Sequence, residues 1–157
     1  MSSPRVATFD CYGTLIDWEG GVGAFLYELA RRHGDDPPPG RELREAGLRL
    51  WIISNTDRAI IEHSLRHLEV DFAGFTVAED CRAYKPSTIP FETALRDIGA
   101  PREEILHVAF GFKYDLAAAQ RHGMRTVWVN RHRDPAPGPE RRDHEWDDLW
   151  PLAELRA

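Results

Sequence analysis

Residues 6–21, "VATFDCYGTLIDWEGG", set the terms for the rest of the chain. Val6 to Phe9 is a short, mostly apolar run that ends on a carboxylate, Asp10, and enters a turn at Gly13. Such a run bounded by a turn reads as a buried strand. A carboxylate at the end of a buried strand is costly unless something offsets its charge, so Asp10 needs a cationic partner and a purpose. Two places on stands Tyr12, not a second acid.

Outward from this stretch the chain alternates. Residues 5–10 predict the first strand, and 20–34 an amphipathic helix with Phe25, Leu26, Leu29 and Ala30 on one side. "DDPPPG" (35–40) breaks it, because three successive prolines cannot continue a helix. "LRLWIISN" (48–55) predicts a second strand covered on both faces. Residues 56–69 predict a helix capped by Thr56 or Asp57. A third strand at 75–80 is followed by a helix at 87–100 that starts near Pro90. "ILHVAF" (105–110) predicts the fourth strand, 113–123 its helix and 125–130 the fifth strand. Residues 131–146 read as a proline-rich, solvated loop and the chain end as an irregular helix. No internal repeat is visible.

Strands alternating with helices predict an α/β fold with a parallel sheet. Ligands bind such sheets beyond the carboxyl ends of the strands, at a switch point in strand order. The polar candidates collect there: Asp10 after strand one, Ser54 and Asn55 after strand two, Lys85 after strand three and Asp115 after strand four.

At 157 residues the chain predicts one domain, 1–157, able to bury about two-thirds of its unfolded surface. A net charge of -6 excludes a broad basic footprint for nucleic acid. The first ten residues lack a basic segment followed by a long apolar core, so no signal peptide or membrane partner is expected and the default is cytoplasmic. Cys11 and Cys81 are too few for a disulfide scaffold or a zinc site. Cys11 adjoins Asp10, yet its ordinary reading is a small buried hydrophobe. Lys85 and Lys113 are the only lysines in an arginine-rich chain, which draws attention to where each stands.

"FDCYGTL" (9–15), "IISNTD" (52–57), the lysine of "YKPS" (84–87) and "HVAFGFKYD" (107–115) resemble, in order, the four motifs of the haloacid dehalogenase superfamily. "DxYGTL" with "SNTD" is most similar to the type II 2-haloacid dehalogenase branch. The resemblance implies a three-layer Rossmann-like sandwich around a five-stranded parallel sheet of order 5-4-1-2-3. It implies that Asp10 is a nucleophile forming an ester that water then hydrolyses. Thr14 and Ser54 would orient it, Lys85 would hold its charge, and Asp115 would position or activate water. Tyr12, Thr14, Ser54 and Asn55 would line the substrate site.

Phosphatases of the superfamily carry a second aspartate two residues after the nucleophile, as general acid. Tyr12, with an ordinary pKa of about 10, is a poor substitute, whereas a halide leaving group needs no proton. Metal-binding relatives have an acid where this chain has Phe110, so no metal is expected; the alternative is Mg²⁺ through Asp10 and Asp115. The segment "FGF" (110–112) also departs from the polar residues of the dehalogenases. Lys113 within this segment faces either a substrate carboxylate or solvent.

Relatives with a full cap insert a helical domain between the first two motifs, and that cap supplies an arginine for the substrate carboxylate. Here Asp10 and Ser54 are 44 positions apart, which leaves 35–46 as a residual linker in place of the cap. Arg41 and Arg44 lie in it without an assignable role. A lidless site stays wet, and an apolar patch left by a missing cap favours a homodimer. His63 and His67, four apart on one helix, lack a third ligand and read as a solvated face. Trp18 reads as packing, and Ser54 has no histidine nearby in sequence for serine-hydrolase chemistry. The chain thus reads as a hydrolase of the haloacid dehalogenase type acting on a small-molecule substrate. The alternatives are a Mg²⁺-dependent phosphatase-like hydrolase and a cap-deleted core serving as a binding or assembly module.

Overall fold

A computed structural model describes residues 4–15, 47–66, 71–139, 141–149 and 151–152. The helix expected at 20–34, the linker at 35–46 with Arg41 and Arg44, Trp18 and His67 lie outside the described residues. The elements are β1 (Val6–Phe9), β2 (Arg49–Ser54), α1 (Arg58–Leu65), β3 (Gly74–Val77), α2 (Ala78–Cys81), α3 (Ile89–Ile98), β4 (Ile105–Ala109), α4 (Ala117–Arg121), β5 (Arg125–Val129) and β6 (His144–Trp146). They form a single sheet of order β3-β2-β1-β4-β5-β6 in which every pairing is parallel.

The expected five-stranded sheet is therefore corrected to six strands. The sixth comes from the segment read as a loop on account of its prolines. Those prolines end before the strand, and the backbone of 144–146 completes the open edge of β5, where an unpaired strand would otherwise leave its amides bare. Asp143 locks the register: its amide donates to Thr126 O, and its Oδ2 accepts the Thr126 amide at 2.8 Å. Asn130 completes the join by donating to Glu145 Oε1.

Other boundaries moved for local reasons. The third strand ends at Val77, because the chain turns directly into α2, whose last turn closes on Arg82 in the left-handed region. At α1, Asp57 occupies the cap position without a side-chain cap bond; the Glu79 carboxylate accepts the Arg58 amide instead. The helix expected from 113 opens as one wide turn, Phe112–Leu116, before α4 proper.

Alternation along the strands sorts the core onto two faces. Ala7 and Phe9 of β1, Leu50 of β2, Leu106 and Val108 of β4, and Val127 and Val129 of β5 share one cluster with Leu149 and Leu152. Val6, Ile53 and Ile105 point the other way, into a cluster with Phe91, Ala94 and Ile98 of α3 and Ala118 and Ala119 of α4. Ile61 of α1 packs with Ile52, Val77 and Cys11. Layers on both sides of a parallel sheet are what its apolar strands require. Strand parity also puts Thr8 and His107, the two polar interruptions of β1 and β4, side by side on the α3 face. Among the described residues, no helix is long and apolar enough to cross a membrane.

Phe91 is fully buried, whereas Ile60 on α1 is half exposed. Phe91→Ala is expected to cost about 3–5 kcal/mol in urea unfolding, and Ile60→Ala less than about 0.5 kcal/mol. Similar costs for both would mean that α3 does not seal this face.

Candidate active site

The carboxyl ends of β1, β2 and β4 converge on one side chain. Lys85, in the loop after α2, is buried, and its Nζ donates to Asp10 Oδ1 at 2.8 Å, Asp115 Oδ1 at 2.5 Å and Ile53 O at 2.9 Å. All three ammonium protons are used. Asn55 holds the lysine's backbone in place, with its Nδ2 donating to Lys85 O and its Oδ1 accepting the Lys85 amide at 2.6 Å. Ser54, the buried last residue of β2, lies between Ile53 and Asn55 in this wall.

Asp10 leaves β1 with its amide still bonded to Val108 O, so the strand ladder aims the residue. Its Oδ2 accepts the Thr14 hydroxyl at 2.9 Å, and Thr14 Oγ1 in turn accepts the Phe110 amide at 2.8 Å. The turn between them passes through Gly13 at φ +90, in the left-handed region that a glycine adopts without steric cost. Arg131 clamps this turn from the end of β5, donating to Gly13 O and Thr14 O at 2.7 and 2.6 Å. The Tyr12 hydroxyl is bonded to Ser64 Oγ on α1 at 2.9 Å.

Asp115 stands in the wide turn after β4, its amide bonded to Gly111 O. His107 Nε2 lies 3.2 Å from the Asp115 Oδ1 that also takes Lys85, and Thr8 Oγ1 lies 2.9 Å from His107 Nδ1. A Cβ on Gly111 would collide with Asp115 Oδ2, so the glycine makes room for that oxygen.

The structure thus brings Asp10, Thr14, Lys85 and Asp115 into one hydrogen-bonded group, with Ser54 and Asn55 beside it and Tyr12 turned to α1. Lys113 is exposed on the wide turn, and Phe110 and Tyr114 are exposed on either side of it. Sequence reasoning missed Thr8, His107, Gly111 and Arg131. A histidine inside "ILHVAF", paired in register with a threonine inside "RVATFD", was the signal for the first two. Arg131, more than a hundred residues from its partners, left none.

Two carboxylates share one buried cation, and their environments differ. Burial, and next the charge of Asp115, push Asp10 above the usual carboxylate range despite Lys85 and Thr14. Burial acts in the same direction on Asp115, but the Lys85 charge and the His107 hydrogen bond outweigh it and hold Asp115 below that range. Lys85, although burial alone lowers it, is held above the usual lysine range by Asp115 and Asp10. Burial, with the Asp10 charge beside it, pushes the Cys11 thiol up to about 12. Cys11 is fully buried and packs as core with Ile52, Ile61 and Val77.

The described residues offer Mg²⁺ a thin donor set. Such an ion needs near-octahedral oxygen ligands, but Lys85 already occupies Oδ1 of both acids, and an apolar ring stands at 110. Among the described residues no group of three or more His, Cys, Asp and Glu could hold a metal.

The sequence profile described as haloacid dehalogenase-like hydrolase matches residues 41–129. The chain belongs to that family. It is 34% identical over 137 residues to haloacetate dehalogenase H-2 of Moraxella sp. (strain B), covering 83% of this chain and 60% of the relative. It is 33% identical over 101 residues to the (S)-2-haloacid dehalogenase of Pseudomonas putida, covering 63% of this chain and 44% of that protein. The chain thus spans about half the length of these two curated relatives. A solved dehalogenase structure with an intermediate complex superposes with a TM-score of 0.79 at 20% identity, over 100% of this chain and 99% of that one. At that identity the likeness speaks for the fold alone.

The split between the two acids has consequences for stability. A carboxyl raised by folding contributes stability below its unfolded pKa and loses it as pH rises through the folded value. Asp10 therefore weighs on the fold at pH 7, and Asp10→Asn is expected to be neutral or stabilising there. A carboxyl lowered by folding contributes above its unfolded pKa and loses that as pH falls through the folded value. Asp115→Asn is accordingly expected to cost on the order of 3 kcal/mol at pH 7. Urea unfolding of both variants checks the asymmetry, and equal destabilisation would contradict it.

Proposed function

We propose that this chain carries the core of a metal-free hydrolytic dehalogenase of small 2-haloacids. The observation that carries this reading is the buried Lys85 ammonium bridging Asp10 and Asp115 while Thr14 fixes the second Asp10 oxygen. An anion so held is oriented and short of neutralising charge, which suits a carboxylate that must attack. The curated relatives named as haloacetate and (S)-2-haloacid dehalogenases support the substrate class.

In the first step an Asp10 oxygen attacks the carbon bearing the halogen. The O–C bond forms as the carbon–halogen bond breaks, and halide leaves with the bonding pair. In the second, a water beside Asp115 gives that carboxylate a proton as its oxygen adds to Asp10 Cγ. The bond from Cγ to the substrate oxygen then breaks, the departing alkoxide takes up a proton, and Asp10 returns as a carboxylate. One water is consumed; halide, a 2-hydroxy acid and one proton are released. Tyr12, whose hydroxyl is engaged with Ser64, is not required to protonate a halide. Thr14 and Ser54 orient Asp10, Asn55 holds the Lys85 loop, and Tyr12 borders the substrate.

Mass spectrometry after brief incubation with 2-chloropropionate is expected to find a covalent adduct on Asp10, absent in Asp10→Asn. A parent protein that releases phosphate from phosphoesters only with Mg²⁺, and forms no such adduct, would overturn the reading in favour of a phosphatase. No adduct, no turnover and identical ligand-induced thermal shifts in parent and Asp10→Asn would favour a binding module. The pH dependence carries a second test. Attack needs ionised Asp10, so the rate of adduct formation is expected to rise with pH through a value above the ordinary carboxylate range of about 4. A limb at or below that range would contradict the raised Asp10.

A further inference from the structure

We infer that His107 is a positioning residue that selects which oxygen of Asp115 handles the hydrolytic water, an inference that rests on the dehalogenase reading above. His107 is fully buried in the middle of the sheet, where an imidazole needs partners on both nitrogens. It has two. Nε2 meets Asp115 Oδ1 at 3.2 Å, and Nδ1 meets Thr8 Oγ1 at 2.9 Å. An ionised carboxylate only accepts, so Nε2 donates to Asp115, while the Thr8 hydroxyl pairs with Nδ1. Thr8 is the register partner of His107 across the β1–β4 ladder, so the sheet itself supplies the partner of Nδ1. The ring cannot turn away, because Phe91 packs edge-on against it with centroids 5.2 Å apart.

The consequence falls on Asp115. Both His107 and Lys85 bind Oδ1. Oδ2 takes neither bond, and it packs against residue 111, which must lack a Cβ to admit it. One oxygen is anchored twice and the other is left to the reaction. Two donors on a single oxygen also fix the carboxylate plane, which Lys85 alone, a point charge with freely rotating donors, does not. A water held by Oδ2 thereby has a defined line to the ester on Asp10.

The role belongs to ester hydrolysis and not to ester formation, which separates it from a merely structural one. In His107→Phe, which keeps ring shape and burial, the Asp10 adduct with 2-chloropropionate is expected to form at the parent rate. It is expected to decay roughly tenfold or more slowly, a fraction of what a positioned acid–base group contributes. His107→Gln, which keeps a donor within reach of Asp115, is expected to restore part of the decay rate. Thr8→Val, which leaves the imidazole but removes its Nδ1 partner, is expected to slow decay in the same direction and keeps the test open if His107→Phe does not fold. An adduct that forms and decays at parent rates in folded His107→Phe, or in Thr8→Val where His107→Phe does not fold, would overturn the positioning role and leave the dehalogenase reading standing. A parent that never forms the adduct would overturn that reading, and the role with it.

Discussion

The site depends on one ammonium group. Lys85 Nζ joins the end of β1, the backbone of β2 and the turn after β4 through three hydrogen bonds, and no water is needed to complete its shell. A buried cation with every proton used is tolerable, and the same bonds make two buried carboxylates tolerable. Each of the three acceptors lies at or near the carboxyl end of a strand, so the lysine also pins those ends to one another. The first-motif turn is tied down separately, by Thr14 from within and by Arg131 from β5.

That arrangement is deliberately unbalanced. One cation serves two acids, and the result is a pair whose affinities for protons diverge, with Asp10 raised and Asp115 lowered. Carboxylates pushed apart in this way are a common basis for dividing roles in an active site. In the proposed reaction the raised one is the nucleophile, the stronger base of the two once ionised. The lowered one stands ready in its charged form, oriented by two donors. Burial disfavours the charged form of Asp10, a pattern expected where stability and activity compete for the same residue.

Tyr12 and Phe110 bear on the direction of the proposed chemistry. Each stands where other branches of the superfamily carry an acid, one as a proton donor and one as a metal ligand. With a phenol bonded to Ser64 and a phenyl ring in their places, the described site has two carboxylates and a cation but no acid at either position. Such a site suits a leaving group that departs as a stable anion.

Much of this was legible in the residues. A carboxylate at the end of an apolar run, a lone lysine after strand three and an acid after strand four are local patterns, and strand-helix alternation placed them on one edge of a parallel sheet. Composition and periodicity read well because each reports on its own segment. What depends on distant partners did not read. The sixth strand formed because β5 had an open edge, not because 144–146 has a strong pattern of its own. Arg131 found the Gly13–Thr14 carbonyls across 117 residues or more. His107 looked like an ordinary strand residue until register set it against Thr8 and the turn brought Asp115 onto its ring. The sequence by itself determined the fold class and the acids and cation of the site, since those follow from local apolarity and charge. Only the tertiary structure decided which atoms share a proton, because hydrogen bonds answer to distances of a few tenths of an ångström that no pattern along the chain records.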